Sequence, residues 1–234
     1  MIRVLRPRQR PSWQIVTPAL LLLCAFAVPG VLIVAGHGEP AFDTIDTTWQ
    51  AYSFTLHTPF WDAVNVVFNG AGYVGMLVLH GVLAATLLIW RRPRAAAFAA
   101  LAGLAALALT QLAKAVVGRH RPPDARVLTD TGSYPSGHVS ATTAFLVVMA
   151  VLIGRQWAKV LAVLGILAMM VSRTYLSAHW LSDVLGGACL ATGVVLLLWW
   201  PMRNICIQEN ETAGRGTIWR AKALRRRQGA GQPK

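Results

Sequence analysis

The gaps between charged residues decide what this chain can fold into. Six stretches stand out: Gln14 to Gly36, Ala71 to Trp90, Ala95 to Ala113, Gly137 to Gly154, Trp157 to Ser172 and Val184 to Pro201. All but the fifth lack Asp, Glu, Lys and Arg, and the fifth carries only Lys159, two residues inside its start, where the stem can snorkel to an interface. A helix needs about 20 apolar residues to cross roughly 30 Å of hydrocarbon. With 55% hydrophobic and 13% charged residues, neither a soluble domain nor a disordered chain fits. The expected fold is therefore all-α: a polytopic membrane protein of six transmembrane helices in one domain, residues 14–203.

The first run follows Arg3, Arg6, Arg8 and Arg10 and so resembles a signal peptide. It is longer than the roughly 7–15 residues of such a segment, so a retained helix is expected, preceded by a basic cytoplasmic segment, residues 1–13. Cys24, Cys189 and Cys206 are widely separated and imply neither a disulfide framework nor a zinc site. Residues 37–70, free of Lys and Arg but carrying Phe42, Ile45, Trp49, Phe54, Phe60 and Trp61, read as an interfacial segment on the outer side, with any short helix bracketed by Pro40 and Pro59. Residues 204–234, polar and rich in Gly and Arg, read as a basic cytoplasmic tail, disordered or resting on anionic lipid.

A formal net charge of +13 in a soluble protein would suggest nucleic acid. Here the positions of the charges decide otherwise. With six spans both termini share a side, and 17 of the 22 cations fall on that side: the four N-terminal arginines, Arg91, Arg92, Arg94, Arg155, Lys159, Arg203 and seven further residues of the tail. The positive-inside rule makes that side cytoplasmic. The expected localisation is a multi-pass cell-membrane protein with no nucleic-acid partner. Trp13, Trp90, Trp157, Trp180, Trp199 and Trp200 lie at span ends, as an interfacial belt requires.

The five remaining cations, Lys114, Arg119, Arg121, Arg126 and Arg173, sit on the opposite side, which the rule leaves poor in cations. Taken singly each reads as an interfacial residue touching lipid phosphate. Their neighbours suggest more. Pro135-Ser136-Gly137-His138 opens the fourth span, so Ser136 is placed as an N-cap and the backbone N–H groups around Gly137 are free to hold a phosphate oxygen. Lys114, Arg121 and Arg173 supply point charge and forked donors for the other oxygens, and stabilise the extra charge of a five-coordinate phosphorus. His179 and Asp183 are four apart and share a helix face, so the carboxylate can hold one imidazole nitrogen and leave the other as a nucleophile. His138 is then available as general acid. Arg119 and His120 read as loop cations, Asp124, Arg126 and Asp130 as candidates for gating, His37 and His57 as solvated loop residues, and His80 as a neutral imidazole bonding between helices.

Lys114 followed after six residues by Arg121-Pro122, then Pro135-Ser136-Gly137-His138, then Ser172-Arg173, five residues, His179, three residues and Asp183 together resemble the three-part signature of the type 2 phosphatidic acid phosphatase family of membrane lipid phosphatases, similar in its site to vanadium haloperoxidases. The resemblance implies a six-helix core with its site at the extracytoplasmic interface, a phosphohistidine on His179 oriented by Asp183, His138 as acid, phosphate held by Lys114, Arg121, Ser136, Gly137 and Arg173, and no metal or other cofactor. It also implies a lipid phosphate or diphosphate as substrate. Among family members, a compact chain of this kind most resembles undecaprenyl-diphosphate phosphatases and phosphatidylglycerophosphate phosphatases, with undecaprenyl diphosphate the leading expectation. Phosphatidic acid hydrolysis and transfer of the phosphate to a lipid hydroxyl are the alternatives from the same chemistry. A transporter of phosphorylated lipids fits less well, because the cations cluster at one face and none lies deep in a span.

Overall fold

The computed structural model of the chain describes residues 11–127 and 132–229, and side chains as far as Asn210. Asp130, Lys234 and the arginines before Pro11 lie outside the described residues. All regular structure among the described residues is helical: α1 Trp13–Ala35, α2 Asp43–Phe54, α3 Pro59–Gly70, a π-helical turn Ala71–Gly75, α4 Met76–Ile89, α5 Pro93–Val117, α6 Gly137–Ile153, α7 Gln156–Tyr175 and α8 Leu181–Gly229.

Five helical runs have the length and hydropathy to cross a membrane: Trp13–Ala35, Pro59–Ile89, Pro93–Val117, Gln156–Tyr175 and Leu181–Asn210. The sixth apolar helix, α6, has 17 residues, about 26 Å at 1.5 Å per residue. It packs against α4, α5, α7 and α8. Its span can be short because its surroundings are protein. Leu20, Leu21 and Val31 of α1, Val78 and Val82 of α4, Leu101 and Leu104 of α5, and Val160, Leu161 and Leu164 of α7 are exposed, and so many large apolar side chains facing outward require an apolar solvent.

The alanines of α5 explain how the bundle closes. Ala95, Ala96, Ala99, Ala102 and Ala106 are buried with Phe98 against Leu87, Ala144, Val148, Ala191, Val195 and Cys206. Small side chains at this spacing let neighbouring backbones approach closely, which is where van der Waals packing between membrane helices comes from. His80 fits this packing differently from the interhelical hydrogen bond expected. Its Nδ1 pairs at 3.0 Å with the Met76 carbonyl of its own helix, and its ring lies on Gly103 of α5 and edge-on to Phe145 of α6.

Two boundaries differ from the sequence reading. The second apolar helical run begins at Pro59, not Ala71, so the segment between the first two runs is shorter than 37–70 and holds the short helix α2. Pro59 starts a helix here: Thr58 is extended and its hydroxyl accepts from Trp61 N, and proline at the first helical position loses nothing by lacking an N–H. Asp62, the last charged residue before the stretch from Ala71, lies in the first turn, where a carboxylate suits the positive end of the helix dipole. The last helix also continues beyond Asn204, through Gly229. Cys206 is buried in the core, and Glu209 accepts from the backbone N–H groups of Arg94 and Ala95 at 3.0 Å each, capping the free start of α5. As far as Asn210 the segment expected to be disordered is thus a packed helix end, with Cys206 and Glu209 tying it to α5.

α5 ends at Gly118, whose left-handed φ of 59° stops the helix while its N–H still bonds to Lys114 O. α6 begins at Gly137, and the turn between α7 and α8 spans residues 176–180. The ends of α5 and α7 and the starts of α6 and α8 therefore meet at one end of the bundle, bringing the three separated sequence blocks together.

Candidate functional site

Each cation of the sequence signature is held by a helix end or the chain just beyond it. Lys114, in the last turn of α5, is 6% exposed and its Nζ donates to Gly132 O at 2.6 Å. Arg121 follows the helix end, and its guanidinium donates to Ala178 O at 2.7 Å and to Gly132 O at 3.3 Å. Arg173, in the last turn of α7, is buried and donates to Asn69 Oδ1 at 2.7 Å. Three cations at one bundle end, Lys114 and Arg173 buried and Arg121 half-buried, need anionic or carbonyl partners, and much of what holds them is neutral carbonyl oxygen.

His179 lies among them. It is buried, with Arg121 Nη1 3.3 Å from its Nε2 and Asp183 Oδ2 3.5 Å from its Nδ1. The second distance is longer than a formed hydrogen bond. The two groups face each other as expected of an i,i+4 pair, in the open geometry that catalytic pairs show before a substrate tightens them. Burial first, then the charges of Arg121, Lys114, Arg173 and His138, hold the imidazole pKa well below the ordinary 6.5. Both causes favour the neutral imidazole, and Nε2 is the nitrogen that faces Arg121.

Ser136 is the residue before α6, extended with φ −66° and ψ 117°, but its hydroxyl makes no capping bond. The expected N-cap is correct in position and not in bonding. Ser136 Oγ is fully buried and has no hydrogen-bond partner among the described residues. Ser136 N donates to Asp183 O at 3.0 Å, locking the start of α6 to the start of α8. Gly137 lies beneath the Tyr73 ring and near the Lys114 side chain.

His138 pairs through Nε2 with Asn69 O at 3.2 Å, and its ring is 5.9 Å from that of Tyr73. Asn69 therefore holds two signature residues at once, Arg173 through its side chain and His138 through its backbone. Sequence reasoning missed Asn69 because it placed the span boundary at Ala71, and Gly72 and Tyr73 because inside an apolar run they carry no signal of their own. The signal present was the polar and small run Asn69-Gly70-Ala71-Gly72-Tyr73 between apolar stretches. The π turn at Ala71–Gly75 rotates this run relative to a regular helix, and such bulges recur at functional sites.

Arg119 also departs from expectation. It lies in the loop after α5 but is 3% exposed, with Nη1 at 2.9 Å from Asp183 Oδ1 and Nη2 at 2.8 Å from Asp46 Oδ2. His57 is not simply solvated either: its Nε2 is 2.7 Å from Tyr175 O and its ring stands edge-on to Tyr175. Arg126 contacts Asp62 at 3.4 Å, lies over Phe54, and bonds through its N–H to Leu176 O. His37 is exposed, as expected. Among the described residues no three His, Cys, Asp or Glu side chains are gathered as a metal site requires.

Comparison with known proteins finds a match of residues 95–205 to the PAP2 superfamily. Among solved structures, the chain is similar to a transmembrane PAP2-type phosphatidylglycerolphosphate phosphatase from Bacillus subtilis, with a TM-score of 0.66 and 22% identity over 80% of this chain and 94% of that one. No curated protein sequence matches the chain.

Proposed function

We propose, from the match of residues 95–205 to the PAP2 superfamily and the geometry of the site, that the chain hydrolyses a lipid phosphate or diphosphate through a phosphohistidine on His179. The observation that carries this reading is a buried imidazole with Arg121 at one nitrogen and Asp183 facing the other. Nε2 attacks the terminal phosphorus, and the bond from phosphorus to the lipid-side oxygen breaks. His138 gives its proton to that oxygen. Lys114, Arg121 and Arg173, with Ser136 Oγ and the N–H groups at the start of α6, hold the three equatorial oxygens as charge builds on them. Water then attacks the phosphorus, His138 takes its proton, and the N–P bond breaks to release phosphate and free His179. Asp183 orients the ring and balances the positive charge it carries while phosphorylated.

The reading places both termini in the cytoplasm and the site at the extracytoplasmic interface, supported by the cation distribution. Undecaprenyl diphosphate is the substrate proposed first, because a polyprenyl carrier exposes its diphosphate on that face after delivering its glycan. Phosphatidylglycerolphosphate is the second reading, favoured by the activity named for the similar structure. Phosphate release from undecaprenyl diphosphate, phosphatidylglycerophosphate, phosphatidic acid and a soluble sugar phosphate, assayed side by side, separates them. Highest kcat/KM on undecaprenyl diphosphate is expected; equal rates on the sugar phosphate contradict a lipid substrate.

Two further results follow from the roles assigned. Cationic side chains meet the charge of the phosphoryl group, so activity should persist in excess EDTA; loss reversed only by a divalent ion contradicts the scheme. His138→Ala should lower kcat about 100-fold or more on a lipid substrate. With p-nitrophenyl phosphate, whose leaving group needs no proton, the burst of nitrophenol should be nearly preserved while turnover slows. An equal loss of burst and turnover would remove His138 from the acid role.

A further inference from the structure

Arg119 is a charged side chain that the proposed chemistry does not use, yet it is among the most completely buried groups in the molecule. Its side chain is 1% exposed, as is that of Asp46, while that of Asp183 is 0% exposed. Nη1 donates to Asp183 Oδ1 at 2.9 Å and to Ser182 Oγ at 2.7 Å. Nη2 donates to Asp46 Oδ2 at 2.8 Å. Asp46, from α2, in turn accepts from Ser182 N at 2.8 Å and from Ser182 Oγ at 2.5 Å. The guanidinium lies 5.3 Å from the Trp180 ring and 6.0 Å from that of Phe42.

The division of the Asp183 carboxylate gives this arrangement its meaning. Oδ1 is taken by Arg119, and Oδ2 accepts from Trp180 N at 2.9 Å while facing His179 Nδ1. A carboxylate held at only one oxygen can rotate about its Cβ–Cγ bond, whereas one held at both is fixed in plane and in charge. The rigid fork of arginine suits this task, since its two terminal nitrogens reach carboxylates on two different helices. We propose that Arg119 is a positioning residue for the reaction, clamping Asp183 in the orientation that supports His179 and anchoring that clamp to the interfacial helix α2 through Asp46. The proposal rests on His179 being the nucleophile. It makes the docking of α2 part of the catalytic apparatus, because both oxygens of Asp46 are committed to the α8 start and to Arg119.

A merely structural arginine would change how much protein folds, not how fast each folded molecule reacts. Rapid-quench phosphorylation separates these, since burst amplitude counts active molecules and burst rate constant reports the chemical step. Arg119→Met is expected to lower the burst rate constant about 10- to 100-fold, the scale of a misplaced reacting group, with KM within about threefold of wild type. Arg119→Lys, which keeps the charge but cannot reach both carboxylates, should fall between. Asp46→Asn, which keeps the shape and frees one Nη2 partner, should lower the rate constant less than Arg119→Met. Should Arg119→Met fail to fold, the lysine and asparagine variants are read by the same criterion. A wild-type burst rate constant in the folded variants, or a loss confined to KM, overturns the clamp. His179→Ala, run in parallel, distinguishes the two readings: a labelled phosphoenzyme in that variant overturns the nucleophile assignment, whereas its absence there together with unchanged Arg119 variants overturns the clamp alone.

Discussion

Replacing His179 by alanine is expected to reduce lipid phosphate hydrolysis on the order of 10⁴-fold or more while leaving the protein folded and able to bind phosphate. The size follows from the role: without Nε2 no covalent intermediate forms, and water must attack directly at a site built to align an imidazole. Folding should be tolerant because the imidazole makes few bonds of its own; Nδ1 has no hydrogen-bond partner among the described residues. Phosphate binding should persist because Lys114, Arg121 and Arg173 are anchored independently, on Gly132, Ala178 and Asn69. Inhibition of wild type by inorganic phosphate and phosphate binding to the variant by calorimetry should therefore give similar constants. Retention of more than about 1% of wild-type kcat would contradict a nucleophilic His179.

The second large effect comes from a residue with no chemistry. A methyl group built on Gly72 overlaps His138 Cδ2 outright and crowds Met169 Cε at 3.1 Å. Gly72→Ala should push the imidazole off the Asn69 carbonyl and lower kcat about 100-fold, since displacement of a reacting group by an ångström costs about that much. KM should change little, because the cations that bind phosphate are untouched. Gly70→Ala is the matched control: it lies two residues away on the same helical run, and nothing lies within 4 Å of the added carbon. Equal activity of the two variants would show that close packing of the π turn on His138 does not matter to the reaction.

The parts of the site legible in the sequence were those whose meaning lies in short spacings. Four residues between His179 and Asp183 place both on one helix face, and a serine and glycine before an apolar run place a helix start. What remained hidden depends on partners far apart along the chain. Arg119 looked like a loop cation because Asp46 lies 73 residues away, and a contact at that separation leaves no periodic trace. Asn69 is hidden for another reason: the span expected from Ala71 starts late, although the charge-free run reaches back to Ala63 and Asp62 itself sits in the first turn of the helix. The end of α8 is hidden because the polar residues after Pro201 give no apolar run to follow. The six-helix architecture survived these errors because it depends on the number of apolar runs and not on where each begins.

The most direct test of the central claim is to mix the purified protein with terminally ³²P-labelled undecaprenyl diphosphate, quench in alkali within the first turnover, and map the label. An acid-labile, base-stable phosphoenzyme at His179 is expected in wild type and none in His179→Ala. Label on another residue, or label retained in the alanine variant, would contradict the account.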